Sequence, residues 1–450
     1  MNHRRAPQRS LSVQAVIALG FLLFILLIAA LLTLPVSSRA GEWTHPLTAL
    51  FTATSAVCVT GLVVVDTATH WSVFGRIVLL FAIQVGGLGV MTVLTLLALA
   101  RGQKLGLRQR TLAMESIGGQ TLSDALPLVR RALLVTLFTE AIGAALLALV
   151  FVPQLGLAHG AGYAVFHAIS AYCNAGFDLM GSLSGPFTSL ESYVGHPLVN
   201  LTICALILAG GLGFFVWDNL IERCKTGQRL SFHSKLALLL TAVLVVIPTL
   251  LFFFLEKDAS MAALTPGERF LASLFSAITP RTAGFDTVAT GTLSTGGSLL
   301  TMLLMLTGGN PGSTAGGAKT TTMLVILLLT GAALRREPEI HILGRRIDRD
   351  AVQRACAIVF IYLLLSLGAA LLICAAQPEL PLMDVLFEVL SAINTVGMST
   401  GVTREMNAFS QIVLILLMYA GRLGSLTFML LLVRGNHSPA RYPVGEVLIG

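Results

Sequence analysis

Eight long apolar runs, with a shorter apolar stretch inside each successive pair, constrain this chain more than any other feature. The long runs cover residues 13–35, 73–101, 127–151, 197–221, 234–255, 298–334, 350–376 and 409–434. The shorter stretches cover residues 46–57, 163–173, 267–279 and 382–393. About 20 apolar residues are needed to cross a bilayer, so the long runs can span it and the short ones cannot. The sequence therefore predicts an all-α integral membrane protein with eight spans and four short re-entrant helices.

The composition and the distribution of charge agree with this class and orient the chain. Only 11% of the residues are charged, whereas a soluble domain has about 25%. Most basic residues fall in 1–10, 101–110, 130–131, 223–235, 335–354 and 434–441, on one face of eight threaded spans. The positive-inside rule makes that face cytoplasmic, with both termini on it. Topology thus explains the net charge of +7. It predicts contact with anionic membrane lipid and no nucleic-acid partner.

A serine–alanine motif that leads to a glycine recurs after each short stretch. The copies read Ser55-Ala-Val-Cys-Val-Thr-Gly61, Ser170-Ala-Tyr-Cys-Asn-Ala-Gly176, Ser276-Ala-Ile-Thr-Pro-Arg-Thr-Ala-Gly284 and Ser391-Ala-Ile-Asn-Thr-Val-Gly397. The third copy is longer by two residues, so its register is open. The motifs define pseudo-repeats of helix, pore helix, filter loop and helix at 13–101, 125–222, 234–334 and 350–434. Non-helical backbone at membrane depth is tolerated only when buried in protein or lining a watery path, so four such loops predict one central pore.

A second glycine cluster follows inside each next span. The clusters lie at 86–89, 210–213, 308–312 and 421–424. Small residues let membrane helices approach closely, so these glycines could serve helix packing. A direct role in the pore is the other interpretation, and the sequence leaves both open.

The loops suit a dehydrated monovalent cation. Backbone carbonyls can replace the water around such an ion, and glycine adopts the required backbone angles without steric cost. The short helix before each loop directs its negative C-terminal end toward the cavity. Asp178 and Asp286 follow two of the loops. They either concentrate cations at the outer mouth or cap the returning chain, and the sequence favours neither.

Four repeats with one filter glycine each resemble the Trk/Ktr/HKT potassium transporters, and 58–61, 173–178 and 280–285 resemble KtrB-type subunits most. The resemblance implies a potassium filter formed by Cys58, Val59, Thr60, Gly61, Cys173, Asn174, Ala175, Gly176, Arg281, Thr282, Ala283, Gly284, Asn394, Thr395, Val396 and Gly397. It implies a homodimer on a ring of KtrA-type cytoplasmic nucleotide-binding subunits, in the bacterial cytoplasmic (inner) membrane. The chain itself needs no cofactor; sodium is either an activator or a co-ion.

The sixth span is interrupted by a segment too rich in glycine and proline to continue a straight helix. The segment comprises Gly308, Gly309, Asn310, Pro311, Gly312, Ser313, Thr314, Ala315, Gly316 and Gly317, with Lys319 near its end. A phosphate-binding loop is excluded because Ala318 separates Gly317 from Lys319 and no strand precedes the segment. A passive kink is the plain alternative. Family resemblance makes the segment an intramembrane gating loop, and only this inner helix is expected to be broken.

Arg422 lies within the last apolar run. A charge at the bilayer centre is costly, so such residues generally face a cavity and serve function. We expect Arg422 to form a pore-facing barrier below the filter. This chain resembles KtrB-like chains in this feature. A structural ion pair is the alternative, with Glu388 as the nearest acidic candidate.

Two other functional classes are alternatives to a potassium conduit. A sodium-coupled secondary symporter is the alternative, although every predicted repeat has two spans and starts on the same side, unlike an inverted repeat. An enzyme is not expected because the chain has no HExxH motif and only Glu140 as a lone intramembrane carboxylate. The six cysteines show no metal or disulfide spacing and are expected to be free thiols.

Overall fold

The computed structural model describes residues 12–90, 92–93, 125–337 and 339–424, and these are almost wholly helical. The helices are α1 (Val13–Thr33), α2 (Pro46–Val57), α3 (Thr67–His70), α4 (Val73–Leu88), α5 (Ala125–Leu155), α6 (Leu157–Tyr172), α7 (Pro197–Gly211), α8 (Phe214–Thr226), α9 (Phe232–Leu255), α10 (Pro266–Ile278), α11 (Thr295–Met305), α12 (Thr320–Leu334), α13 (Arg349–Ala376), α14 (Leu382–Ile393) and α15 (Ala408–Leu423). Single 3-10 turns lie at Pro35–Ser37, Met180–Ser182, Glu191–Tyr193, Thr290–Thr292 and Val402–Arg404. A small antiparallel hairpin, β1 (His341–Ile342) with β2 (Arg345–Arg346), joins α12 to α13.

Four helices of the described ranges are long and apolar enough to cross a membrane. They are Gln14–Thr33, Pro127–Leu155, Phe232–Leu255 and Arg349–Ala376, within α1, α5, α9 and α13. In α1, Leu23 and Leu27 are more than half exposed, whereas Ile28 and Leu32 are buried. Apolar side chains on an exposed face are stable in contact with lipid. This exposure therefore indicates that α1 faces lipid. These four helices form the outer layer, and the predicted apolar runs correctly place them.

The four short helices α2, α6, α10 and α14 are confirmed. Two begin with proline, where the missing N–H costs nothing. The α10 helix also has a capping box, because Thr265 and Glu268 bind each other's backbone N–H groups. The α6 helix begins earlier than the predicted stretch because Gly156, at φ +79°, ends α5 and lets the chain turn directly into α6. Most residues in their C-terminal halves are buried.

The inner helices depart from the sequence prediction. The segment at 306–319 does separate α11 from α12, but it is not the only break. The α7 and α8 helices meet at an angle of 98°, and Gly213 between them has φ +93°. Gly89 and Gly424, which end α4 and α15, also have left-handed φ angles of +86° and +82°. The expectation of a single broken inner helix was wrong because glycine in the second clusters leaves the α-helical conformation.

Three glycines of the second clusters bring the inner helices into contact with the short helices. A Cβ built on Gly86, Gly210 or Gly421 would overlap the carbonyl oxygen that ends α2, α6 or α14, respectively. Those oxygens belong to Val57, Tyr172 and Ile393, the last residue of each short helix. Close packing is therefore the role of these three glycines. It fixes the height of each short helix against the inner helix that follows it.

Candidate ion site

The four motif glycines meet in one ring. Each faces the carbonyl oxygen of the residue before the glycine of the next loop. The pairs are Gly61 with Ala175, Gly176 with Ala283, Gly284 with Val396, and Gly397 with Thr60. A Cβ on Gly61 would lie 2.6 Å from its facing oxygen, and one on Gly176 or Gly284 would lie 2.8 Å away. The order closes as loops 1, 2, 3, 4 and back to 1, where the loops are residues 58–61, 173–176, 281–284 and 394–397.

All four loops share one backbone pattern. The glycines have φ angles of +97°, +68°, +74° and +91° in chain order. The residue two positions before each glycine is also left-handed: Val59, Asn174, Thr282 and Thr395 at +57°, +59°, +68° and +51°. This pattern fixes the open register of loop 3. Its two additional residues lie next to the end of α10, and residues 281–284 correspond to 58–61.

In three loops, the left-handed residue two positions before the glycine is strained. Val59, Thr282 and Thr395 are β-branched, and such residues rarely adopt positive φ. A residue held in this region costs about 1–3 kcal/mol and persists only when its surroundings impose it. Sequence reasoning missed these positions because a β-branched residue gives no signal for left-handed backbone. Their recurrence at one position in three loops indicates that the loop conformation serves a function.

The short helices hold the loops by a repeated set of hydrogen bonds. The Ser55 hydroxyl accepts from Gly61 N–H at 3.0 Å, and the Ser391 hydroxyl accepts from Gly397 N–H at 3.1 Å. The carbonyls of the motif serines also accept from the residue before the glycine in loops 1, 2 and 4. In loop 3 this acceptor is Thr279 O, at 2.9 Å from Ala283 N. The inserted residues therefore move the anchor along the chain without changing the loop.

A cavity of about 320 Å³ opens on the side of the ring where the chain leaves the loops. Its ionisable lining comprises Asp66, Asp178, Glu191, Asp286 and Arg404. Asp178 accepts a hydrogen bond from Met180 N–H at 2.9 Å, and Asp286 accepts one from the Thr290 hydroxyl at 2.8 Å. Burial raises the pKa of both loop carboxyl groups to about 7. The two aspartates thus bind the returning chain and also line this cavity, and their role in concentrating cations stays a prediction.

A second cavity, of about 290 Å³, lies against the breaks of the inner helices. It is lined by residues of the glycine-rich segment and by the side chains of Lys319 and Arg422. Lys319 Nζ donates to Ala315 O at 2.7 Å, within its own segment. Two cationic side chains therefore lie on the opposite side of the ring from the carboxylates.

Arg422 binds backbone oxygens. Its Nη1 donates to Thr314 O at 2.5 Å, and its Nη2 donates to Gly86 O and to Gly87 O. Glu388 instead accepts from hydroxyl and amide groups of the chain that follows loop 4. The alternative prediction of an Arg422–Glu388 ion pair is therefore wrong. Arg422 joins α15, the end of α4 and the glycine-rich segment.

The glycine-rich segment is bound to the bend between α7 and α8. Asn310 N–H donates to Gly211 O at 3.0 Å, Phe214 N–H donates to Gly312 O at 2.8 Å, and Thr314 N–H donates to Gly210 O at 3.3 Å. A helix break leaves backbone groups without intrahelical partners, and here the segment supplies them. The Thr314 hydroxyl also donates to Tyr172 O, at the end of α6, at 3.0 Å. The two interrupted inner helices thus supply hydrogen-bond partners for each other's backbone groups.

Comparison with known proteins identifies the family. The TrkH cation transport proteins match residues 23–439 of the chain. The chain belongs to this family. It is 40% identical over 441 residues to the Ktr system potassium uptake protein B of Bacillus subtilis, which covers 97% of this chain and 96% of that protein. It is 37% identical over 454 residues to the potassium/sodium uptake protein NtpJ of Enterococcus hirae, which covers 99% of each.

A solved structure agrees with this assignment. The crystal structure of the potassium transporter TrkH from Vibrio parahaemolyticus matches with a TM-score of 0.71 at 21% identity, over 96% of this chain and 87% of that one. This likeness shows the fold. The resemblance to the Trk/Ktr family that the loop motifs indicated is confirmed, and the chain is a membrane transport protein and not an enzyme.

Proposed function

We propose that this chain is the pore-forming subunit of a potassium uptake system. The observation that carries the proposal is the closed ring of four glycines, each facing the carbonyl oxygen of the neighbouring loop. Such a ring can replace the water around a monovalent cation. The relatives named as potassium uptake proteins support potassium as the ion.

The filter in this proposal comprises the four loops, residues 58–61, 173–176, 281–284 and 394–397. The α2, α6, α10 and α14 helices are its pore helices, and their last residues adjoin the loops. A helix C-terminus carries a partial negative charge, so four such ends favour a cation between them. The carboxylates of the adjoining cavity raise the local cation concentration before the filter.

The gate comprises residues 308–317 together with Lys319 and Arg422. The segment lies against α7, α8 and loop 4, and Arg422 holds it through Thr314 O. Two positive side chains beside one cavity disfavour a cation there. Opening requires the segment to leave its contacts, so its displacement would remove a physical and an electrostatic barrier together.

The topology proposed is that of four pseudo-repeats, 13–101, 125–222, 234–334 and 350–434, which form eight spans around the pore. Each of the four long helices, α1, α5, α9 and α13, precedes one pore helix. The distribution of basic segments supports both termini in the cytoplasm of a bacterium, with the chain in the inner membrane. Of these repeats, residues 91, 94–101 and 425–434 lie outside the described residues.

The assembly proposed is a homodimer, one pore per chain, on a cytoplasmic ring of nucleotide-binding KtrA-type subunits. The support is the 40% identity to a protein named as the B component of a Ktr system. Sodium enters the proposal as an activator or co-ion, because another relative is named a potassium/sodium uptake protein. A sodium-coupled symporter is the second candidate on that same ground.

Growth of a potassium-uptake-deficient bacterium on low potassium tests the proposal. The chain should restore growth, and adding a KtrA-type partner should increase the uptake rate. Uptake measured with and without sodium separates the candidates: a conduit moves potassium in sodium-free medium, whereas an obligatory symporter does not. Correct membrane insertion without any potassium uptake, with and without the partner, would refute the function.

A further inference from the structure

One position is polar and fully buried in all four pore helices. It lies three residues before the motif serine and is occupied by Thr52, His167, Ser273 and Glu388. Each is 0% exposed. A buried polar group is costly unless it is hydrogen-bonded, so its partners indicate what it holds.

His167 joins its pore helix to the chain that leaves loop 2. Its Nε2 accepts from Leu179 N–H at 3.3 Å, and its Nδ1 lies 2.8 Å from Tyr163 O. A carbonyl oxygen can only accept, so Nδ1 carries the proton and the ring is neutral. The imidazole ring of His167 also lies 6.3 Å, centroid to centroid, from the phenyl ring of Phe285, which directly follows the glycine of loop 3. Both nitrogens are satisfied, so the ring orientation is fixed.

Glu388 makes the equivalent connection in the fourth repeat. Its Oε1 accepts from Thr400 N–H at 3.0 Å and from the Ser399 hydroxyl at 2.6 Å, and its Oε2 accepts from the Thr403 hydroxyl. Leu179 and Thr400 are each three residues after their filter glycine. Two chemically different side chains therefore bind the same backbone N–H of their repeats.

The other two repeats are built differently. The Thr52 hydroxyl donates to Thr48 O within α2 at 2.9 Å, and the Ser273 hydroxyl contacts Met261 Sδ at 3.5 Å. The chain after loop 3 is held instead by the Thr279 hydroxyl, at the end of α10, which donates to Phe285 O at 2.6 Å, and by the segment after loop 2, whose Leu190 N–H donates to Asp286 O at 2.8 Å. Loops 2 and 4 lie opposite each other in the ring, so the two tethers lie across one diameter.

We propose that His167 and Glu388 are positioning residues that set the separation of loops 2 and 4 and thereby the ion preference of the filter. This inference rests on the proposed potassium function. Each tether fixes the outer end of a loop to the helix whose C-terminus fixes its inner end. Loss of a tether lets one side of the ring move outward or inward, and carbonyl distance is what distinguishes ions of different radius.

The test compares potassium and sodium uptake by equivalent substitutions in all four repeats. His167→Leu and Glu388→Met remove the acceptors at nearly constant volume, whereas His167→Gln and Glu388→Gln retain one. Thr52→Ala and Ser273→Ala are the matched controls, because these residues do not bind the exit chain. The potassium-to-sodium uptake ratio and the thermal midpoint are measured for each variant in the dimer and its partner complex.

The apolar variants should lower the uptake ratio about tenfold, roughly the factor for one lost hydrogen bond of this kind. The glutamine variants should recover most of it, and the alanine controls should retain the wild-type ratio. Folded apolar variants with an unchanged ratio, or controls that lose as much, would overturn the inference. If the apolar variants do not fold, Glu388→Asp and His167→Asn shorten the reach, and an unchanged ratio there overturns it equally. Absence of uptake by the wild type would instead count against the proposed function.

Discussion

The ring of loops and the layer of inner helices beside it differ in regularity: the four loops share one conformation, whereas the inner helices do not. The loops have left-handed φ angles at the same two positions although their sequences differ and the third is preceded by two additional residues. The inner helices carry similar glycine clusters, yet they end, bend or open in different ways. Four equivalent loops can surround an ion evenly, whereas a barrier that opens needs only one movable element. This difference supports the proposal that the repeated layer selects the ion and the irregular layer gates its passage.

The largest expected effect breaks the equivalence of the loops. Gly176→Ser or Gly284→Ser places a Cβ only 2.8 Å from a carbonyl oxygen of the next loop, at a φ angle that serine avoids. Strain of about 1–3 kcal/mol corresponds to about 5- to 150-fold in an equilibrium. We expect discrimination of potassium from sodium to fall by that factor, as measured by competitive uptake.

Gly162→Ser is the matched control for the filter substitutions. Gly162 lies in α6 with open space around it, and nothing is within 4 Å of a Cβ built there. It should change neither selectivity nor expression. Substitutions at Gly61, Gly176, Gly284 and Gly397 to serine or aspartate that fold and leave the ion preference intact would contradict the filter assignment.

The second prediction removes the irregular element. Deleting Asn310–Gly317 should raise potassium flux at least about tenfold, which corresponds to about 1.4 kcal/mol of barrier. Flux should also depend less on the cytoplasmic partner. Flux is measured in liposomes, with dimer mass as the folding control. Because the segment also satisfies Gly210, Gly211 and Phe214, loss of flux in a folded dimer would mean that it supports the pore and does not gate it.

The third prediction separates charge from hydrogen bonding at Arg422. Arg422→Gln removes the charge, and Arg422→Lys keeps the charge but loses the fork that reaches Thr314 and Gly86. If repulsion limits flux, glutamine should raise maximal uptake about fivefold, for about 1 kcal/mol, and lysine should not. Equal increases in both would indicate that the carbonyl contacts close the gate. No increase in either would remove Arg422 from the gate.

Much of this comparison could be predicted from the sequence. The apolar runs place the long helices, because a bilayer sets their length. The motif glycines identify the ring, because glycine marks backbone angles that other residues avoid. The family follows from the same motifs. These features are local or periodic, so single-chain reasoning finds them.

The remainder depends on contacts between distant segments. Nothing near Phe214 in the sequence indicates that its N–H binds Gly312 O, and so the bend of α7 against α8 was missed. Glu388 was the alternative partner considered for Arg422 because a buried charge suggests an opposite charge, whereas backbone oxygens satisfy Arg422 here. Val59 and Thr395 have left-handed φ angles that β-branched residues rarely adopt, so residue type alone does not indicate them.

The smallest expected effect concerns the outer cavity, where the repeated layer itself is uneven. Asp178 and Asp286 follow the glycines of loops 2 and 3, and the equivalent positions after loops 1 and 4 are Val63 and Ser399. Their pKa of about 7, raised by burial, means that they gain protons as the external pH falls through neutrality. Protonation removes negative charge from the cavity and lowers the local cation concentration.

The Michaelis constant for potassium should therefore rise about twofold as the external pH falls from 8 to 6, and high salt should reduce the effect by screening. In Asp178→Asn and Asp286→Asn combined, the constant should be high at both pH values, since asparagine keeps the capping acceptor but cannot ionise. Asp258→Asn, on the exposed turn after α9, is the matched control and should retain the wild-type pH profile. If the double variant keeps that profile too, the two aspartates serve only as caps. The charges of Asp178 and Asp286 would then take no part in attracting the ion, and any attraction in the outer cavity would have to come from Asp66 and Glu191.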